Sequence, residues 1–215
     1  MLIGIDASRC IADRLTGTER YSREVIAAIV RIAPQHRHRL YFREGHEAQR
    51  QAYLGALSSS TMVEPVAIPS QRLWTHIGLR REVSSRPPDA LFVPAHVLPI
   101  GLPPKLNAVV TVHDVGYRRF PQAHPLLQRV YLDWGTRHSV NAANVVIADS
   151  HATAQDIAQV YGIGTGKIRV AYPGLLPLAC VTQEQIHATL AKYQLTGRPF
   201  AIHIGTLQPR KNLRR

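Results

Sequence analysis

The chain has 215 residues, enough to bury the core of one large domain, and its 45% hydrophobic and 19% charged residues suit a folded globular protein rather than a disordered or fibrous one. The formal net charge of +12 favours anionic partners such as phosphates, nucleotides, nucleic acid or anionic lipid headgroups. Charge alone does not distinguish these partners from one another. The sequence has no apolar run long enough for a signal peptide or a membrane span, and Cys10 and Cys180 lack disulfide-framework or metal-like spacing, so we expect a cytoplasmic protein.

Short apolar runs alternate with helical patterns along the chain. LIGID (2–6) is an apolar run that ends in Asp, as buried parallel strands often do. A Gly-containing loop and a helix ending before Pro34 follow it. Further strands are predicted at 38–42, 62–68, 89–95, 107–114, 144–150 and 167–173, and further helices at about 48–57, 71–83, 125–141 and 151–162. This alternation predicts a doubly wound parallel sheet of about seven strands with helices on both faces.

The pattern changes after residue 172. Residues 173–198 contain two Pro and one short helical stretch, and Pro199 follows, which is typical of a linker. FAIHIG (200–205) then predicts a strand that runs into a Gly turn and the basic residues Arg210 and Lys211. A strand followed by a Gly turn commonly forms an anion site in α/β proteins. Arg210 and Lys211 suit a diphosphate, although a solvated basic tail is the alternative.

Polar residues follow several predicted strands, at the sheet edge where parallel sheets bind ligands. His113 and Asp114 stand at the carboxyl end of one predicted strand, and His96 follows another. An imidazole held there can exchange a proton near neutral pH, but His113 and Asp114 can equally cap a strand and a turn. Gly17, between Thr16 and Thr18 at a helix start, predicts either an anion site or an ordinary helix cap.

The segment RLWTHIGLRREVSSR (72–86) combines apolar residues with four Arg in an amphipathic pattern. Such a helix can rest on anionic lipid, but amphipathic helices more often cover the sheet of their own domain. Nucleic-acid binding is the least favoured class, because the basic residues are scattered and not interleaved with aromatic side chains.

Six segments in order resemble the GT-B glycosyltransferases of family 4, the retaining, sugar-nucleotide-dependent group that includes many bacterial mannosyltransferases. They are IGIDAS (3–8), LTGTERYSREV (15–25), VVTVHDVGYRRFP (109–121), NVVIADSHATAQDI (144–157), KIRVAYPG (167–174) and HIGTLQPRKNL (203–213). The resemblance implies a Rossmann-like acceptor-side domain at 1–172, a linker at 173–198, and at 199–215 the start of a donor domain truncated after its first strand.

The resemblance also implies roles for particular residues. His113 and Asp114 would be catalytic, with His113 reaching the transferred sugar. The acceptor side would include His96, Tyr117 and Arg118. The donor diphosphate would be bound by Gly17, Thr18, Gly205, Arg210 and Lys211. Thr206 stands where many relatives carry Arg, so phosphate binding would depend on Arg210 and Lys211.

The leading hypothesis is the N-terminal portion of a glycosyltransferase that moves a sugar from a GDP- or UDP-linked nucleotide sugar to a polyprenyl-linked or cell-surface glycan. It needs no cofactor and no metal, because no cluster has metal-ligand spacing. We expect the 215-residue form to be inactive or nearly so, since the donor half of the cleft is missing. The alternative is a non-catalytic module that binds anions or the inner face of the membrane peripherally, or one half of a split transferase.

Overall fold

The computed structural model describes residues 1–13, 15–57, 62–69, 72–175, 180–205 and 212–213. Contacts divide the chain into two units, Met1–Pro173 and Gly174–Arg215.

The first unit is built on a single sheet of seven parallel strands. The strands are β1 (Leu2–Asp6), β2 (Arg37–Arg43), β3 (Val63–Ile68), β4 (Ala90–Val93), β5 (Asn107–Val112), β6 (Val145–Ala148) and β7 (Ile168–Val170). They lie in the order β3-β2-β1-β4-β5-β6-β7, and every neighbouring pair is parallel. The predicted doubly wound α/β fold is confirmed, and each of the seven strands predicted for this sheet is present.

Helices connect the strands, as the apolar periodicity predicted. They are α1 (Gly17–Ile32), α2 (Glu47–Ala56), α3 (Arg80–Ser85), α4 (Gly116–Arg119), α5 (Leu126–Ala142) and α6 (His151–Tyr161). The short helix α4 was not predicted. A π-helical turn at Thr75–Leu79 leads directly into α3, so the predicted helix at 71–83 is divided between two helix types. In the described part of the chain, no helix has both the length and the apolar character needed to cross a bilayer.

The two faces of the sheet bury different hydrophobic clusters, because successive side chains of a strand point to opposite faces. On β2, Leu40 and Phe42 belong to the cluster that includes Ile26 of α1 and Tyr53 of α2. Tyr41, which lies between them in the strand, belongs to the cluster that includes Trp74 and Val83. The side chains of β4, β5 and β6 that point to the same face of the sheet belong to this cluster too. The sheet is therefore covered on both faces, as a doubly wound parallel sheet requires.

The strand order reverses next to β1. From β1 the chain continues to β2 and β3 on one side of β1, and β4 then pairs with β1 on its other side. Loops that leave β1 and β4 at their carboxyl ends diverge at this point and leave a crevice, which is where open α/β sheets bind ligands.

The second unit contains α7 (Gln183–Lys192). The Thr182 hydroxyl accepts a hydrogen bond from the Gln185 N–H at 3.2 Å, and the Gln185 side chain accepts one from the Thr182 N–H at 2.9 Å, which forms a capping box. The predicted strand at 200–205 is not formed, since residues 200–204 have no regular structure and are exposed. A strand requires a neighbour to bond its backbone groups, and the described residues of this unit include none.

Candidate functional site

A cavity of about 380 Å³ lies at the carboxyl ends of β1, β2 and β4. Its wall includes polar and charged side chains from the loops that leave these strands and from the start of α1: Asp6, Ser8, Arg9, Glu19, Arg43 and His96. Polar groups that converge in a crevice at this edge are the expected form of a ligand site in the fold.

His113, directly after β5, lies at the same edge of the sheet. The Tyr21 ring of α1 meets its imidazole edge to face, with the ring centroids 4.7 Å apart. The His96 ring lies 5.4 Å away, and the Nδ1 atom of His113 faces Oδ2 of Asp149 at 3.8 Å. The sequence predicted His96 and His113 as site residues, and the structure brings them together.

The hydrogen bond of His113 defines its tautomer. Its Nε2 lies 3.2 Å from the carbonyl oxygen of Pro94, and a carbonyl can only accept, so Nε2 carries the proton. Burial lowers the pKa of His113, and the bond to Pro94 and the charge of Asp149 offset this only in part. In the neutral ring Nδ1 is therefore a hydrogen-bond acceptor beside the carboxylate of Asp149. Two acceptors 3.8 Å apart form a position suited to a donor such as a hydroxyl group.

His96 is also neutral in the folded protein. Burial lowers its pKa to about 4, with a smaller contribution in the same direction from His113. Its Nδ1 is enclosed and has no hydrogen-bond partner among the described residues. An enclosed polar atom without a partner is unusual in a folded protein and is often found at a ligand site.

The start of α1 is held by Glu19, which the sequence analysis did not single out. Its carboxylate accepts the backbone N–H of Thr16 at 3.1 Å and a guanidinium N–H of Arg9 at 2.8 Å. Burial acts to raise the pKa of Glu19, but the hydrogen bonds from Thr16 and Arg9 outweigh it and the pKa is lowered. Gly17 and Thr18 begin the helix, and a Cβ at Gly17 would meet no atom within 4 Å. The space beside this helix end is open, and its first N–H groups have no partner within the helix.

The structure also shows the contacts of Asp114 and of the two predicted acceptor-side residues Tyr117 and Arg118. The Asp114 carboxylate accepts the N–H of Gly116 at 2.9 Å, so it caps the turn into α4. Tyr117 is 3% exposed, and its hydroxyl bonds that of Tyr161 in the core. Arg118 forms a bidentate ion pair with Asp133, with both distances 2.6 Å. The burial of Tyr117 does not fit direct contact with an acceptor, because the short helix α4 turns this side chain inward.

The predicted diphosphate residues at the end of the chain belong to the second unit. Gly205 is exposed and has φ of +150°, a conformation that favours glycine. Arg210 and Lys211 lie outside the described residues.

The amphipathic segment at 72–86 contributes to both core and surface. Trp74, Leu79 and Val83 are buried in the core, as expected if the segment covers its own sheet. Leu73 and Ile77 are exposed.

A second cavity of about 610 Å³ lies at the amino ends of β1 and β5, on the opposite edge of the sheet. Its charged lining groups are Asp89 and Lys105, and Pro87, Pro88 and Pro103 form much of its wall. The smaller cavity is the stronger candidate for a functional site, because it lies at the edge where the strand order reverses and where the imidazoles and the start of α1 converge. In the described part of the chain no three His, Cys, Asp or Glu side chains are grouped as a metal site requires.

The chain was compared with a known protein family, a curated protein and a solved structure. A profile of Glycosyltransferase Family 4 matches residues 15–175. The chain is 28% identical over 120 residues to the O-antigen chain mannosyltransferase B of Escherichia coli, a match that covers 53% of this chain and 30% of that protein. The structure of the Candida albicans trehalose-6-phosphate phosphatase N-terminal domain aligns with a TM-score of 0.46 and 13% identity, over 90% of this chain and 54% of that chain. The chain thus spans less than a third of the length of the curated relative.

Proposed function

Because the chain belongs to Glycosyltransferase Family 4, we propose that it forms the acceptor-side part of an enzyme that transfers a hexose from a nucleotide sugar to a glycan acceptor. The name of the E. coli relative, an O-antigen chain mannosyltransferase, supports mannose as the hexose and a glycan chain as the acceptor. We propose that this acceptor is a lipid-linked or cell-surface glycan. The observation that carries the proposal is the convergence of His113, His96, Asp149 and Tyr21 at the ligand-binding edge of the sheet.

In this proposal His113 binds a hydroxyl group of the transferred sugar. The acceptor atom Nδ1 and the neighbouring Oδ2 of Asp149 provide two places for a sugar O–H to donate. The bond from Nε2 to the Pro94 carbonyl and the edge of the Tyr21 ring fix the orientation of the imidazole. A rigid acceptor pair of this kind holds the sugar in one orientation while its bond to the diphosphate breaks.

The leaving diphosphate needs positive charge and N–H donors. We propose that the start of α1 at Gly17 and Thr18 supplies backbone N–H groups to it. Such groups stabilise charge as it develops on the diphosphate oxygens. In this scheme they take the place of a metal ion.

Residues 1–173 contain one sheet with one ligand-binding edge. The resemblance to the family implies that a separate donor domain would form the other wall of the cleft. We therefore expect the 215-residue chain alone to transfer sugar from GDP-mannose or UDP-glucose slowly or not at all. Rapid release of GDP or UDP together with a glycosylated product from the chain alone would contradict this expectation.

Saturation-transfer NMR tests the proposed sugar site, because it detects ligands that bind only in the millimolar range. The purified chain is mixed with GDP-mannose, and saturation is compared between the mannose protons and the guanine proton. We expect the mannose protons to be saturated more strongly, since the proposed contacts of this unit are with the sugar and not the base.

The matched variants are His113→Ala and His36→Ala, because His36 directly precedes β2 and so lies at the amino ends of the strands, the opposite edge of the sheet. The first should abolish the mannose signals and the second should retain them. Equal saturation of base and sugar, or mannose signals that survive His113→Ala, would refute the proposed site.

A further inference from the structure

Thr153 of α6 is a buried polar residue beside His113 that no role above explains. It is 7% exposed. Its hydroxyl lies 3.1 Å from the backbone carbonyl oxygen of His113 and 2.9 Å from Oδ1 of Asp149. A carbonyl and a carboxylate can only accept, so the hydroxyl donates and its single proton is shared between the two oxygens. Thr153 therefore contacts both residues of the proposed sugar site.

This hydroxyl joins two strand ends just beyond the point where their pairing stops. The last paired residues of β5 and β6 are Val112 and Ala148, and His113 and Asp149 directly follow them. The His113 carbonyl thus lies past the ladder between these two strands, and the Thr153 hydroxyl gives it a hydrogen-bond partner. Where the backbone ladder no longer sets the spacing of the two strand ends, this side chain sets it.

The start of α6 holds the Thr153 hydroxyl in position. Ser150 is the N-cap residue: its Oγ accepts the Thr153 N–H at 3.1 Å, and its hydroxyl donates to Oγ1 of Thr153 at 3.0 Å. A hydroxyl that accepts a hydrogen bond becomes a better donor. Glu or Gln at this third helical position would reach back to the N–H of the N-cap residue. Thr is shorter, and its hydroxyl is directed to His113 and Asp149 instead.

The contact with Oδ1 of Asp149 also determines where the other carboxylate oxygen lies. Oδ2 faces Nδ1 of His113 at 3.8 Å, which is too long for a hydrogen bond, so no direct bond between the two side chains holds them together. The Asp149 side chain is 24% exposed. Without the Thr153 hydroxyl, its carboxylate would be free to turn away from the ring and towards water.

We propose that Thr153 is a positioning residue of the sugar site, whose hydroxyl holds Oδ2 of Asp149 beside Nδ1 of His113. The inference rests on the proposed function and adds a residue to that site. Because Thr153 is buried, it acts through these two residues and not by contact with the sugar. A residue that only capped α6 would need its bonds to Ser150 alone, and the contacts with His113 and Asp149 exceed that need.

NMR titration of the His113 ring measures this role without any sugar, because the charge of Asp149 acts to raise the pKa of His113. The test variants are Thr153→Val, which keeps the shape of the side chain and the N–H bond to Ser150, and Thr153→Ala. Thr153→Ser restores the hydroxyl. The matched control is Ile157→Val, because Ile157 is buried one turn further along α6 and carries no hydroxyl. Thr153→Val is also made in an Asp149→Asn chain.

We expect the pKa of His113 to fall in Thr153→Val and Thr153→Ala, because the Asp149 carboxylate then turns away from the ring. Thr153→Ser and Ile157→Val should keep the wild-type value. In the Asp149→Asn chain the pKa should already be lower, and Thr153→Val should lower it no further. Thr153→Val should also weaken GDP-mannose binding, followed by saturation transfer to the mannose protons, about tenfold, and Thr153→Ser should restore it.

Three results of the titration would overturn the inference. They are an unchanged pKa of His113 in Thr153→Val and Thr153→Ala, an equal fall in Ile157→Val, and a further fall in the Asp149→Asn chain. A rise in Thr153→Val would overturn it as well, because the hydroxyl would then keep the carboxylate away from the ring.

The titration separates this inference from the proposed function, since it needs no sugar. The expected titration in a chain that gives no mannose signals would refute the proposed function alone. Mannose signals that are lost in His113→Ala, together with a titration that Thr153→Val leaves unchanged, would refute the role of Thr153 alone.

Discussion

His96 should make the stability of the protein depend on pH between about 6.5 and 4. Burial lowers its pKa from the ordinary value of 6.5 to about 4, so the folded state holds a neutral ring. The contribution of His96 to stability is fully present above pH 6.5 and is lost as the pH falls towards 4. In this range the unfolded chain binds a proton at His96 and the folded chain does not. The perturbation that isolates this effect is His96→Gln, which removes the titrating group and keeps a polar side chain.

The size of the effect follows from the two pKa values. At pH 5 an unfolded His with a pKa of 6.5 is almost fully protonated, while a folded His96 with a pKa of about 4 is almost fully neutral. This difference lowers the free energy of unfolding by about 2 kcal/mol between pH 7.5 and pH 5. Burial also lowers the pKa values of His38, His76 and His113. The total loss of unfolding free energy in the wild-type protein should therefore exceed the contribution of His96 alone.

Urea unfolding at pH 7.5 and pH 5 measures the effect. The wild type should lose about 2 kcal/mol more stability than His96→Gln over this range, since the other imidazoles are common to both proteins. His187→Gln, at an exposed position of α7, should behave as the wild type does. NMR titration of the His96 ring gives the folded pKa directly. A midpoint near 6.5, or equal losses in wild type and His96→Gln, would refute the reasoning.

Three further substitutions test the packing of the fold. Gly4→Ala should cost about 1–3 kcal/mol of unfolding free energy by urea titration, because its Cβ would lie 2.9 Å from both Cγ of Pro88 and Cε2 of Tyr41. Glu19→Ala should lower stability by about 1–2 kcal/mol through loss of the α1 cap, and a change below the error of the urea midpoint would contradict that role. Ile157→Ala should lower stability by about 2–5 kcal/mol and reduce the thermal midpoint, since the side chain is fully buried.

The elements of the fold were predictable because their signals are local. Most strands are short apolar runs bounded by polar residues, and the longer helices have an apolar face with Pro, Gly or Ser near an end. At α6, for example, the Ser150 hydroxyl accepts the Thr153 N–H at 3.1 Å, and Gly162 ends the helix with φ of +69°. The predicted strand at 200–205 has the same local signal and is not formed, because a strand also needs a neighbour to bond.

The site was predictable only where a residue directly follows a strand. His96 and His113 were found in this way, since parallel strands end at one edge of the sheet. Arg43 is also the last residue of its strand and the same rule would have identified it. Tyr21 could not be found, because helical periodicity shows that it faces the sheet but not which strand it meets. Its hydroxyl lies 3.3 Å from Thr111 of β5, ninety positions away in sequence.

That long-range contact depends on the order of the strands, which is a property of the whole sheet. The chain places β4 and β5 on the far side of β1 from β2, so the start of α1 lies beside the ends of β4 and β5. His113 therefore contacts Tyr21 of α1, Pro94 in the loop after β4 and Asp149 at the end of β6. Since its partners come from separate parts of the chain, the orientation of His113 depends on the pairing of all these strands. A substitution that weakens the pairing of β1 with β4 should therefore reduce sugar binding at His113 even when it lies far from the cavity.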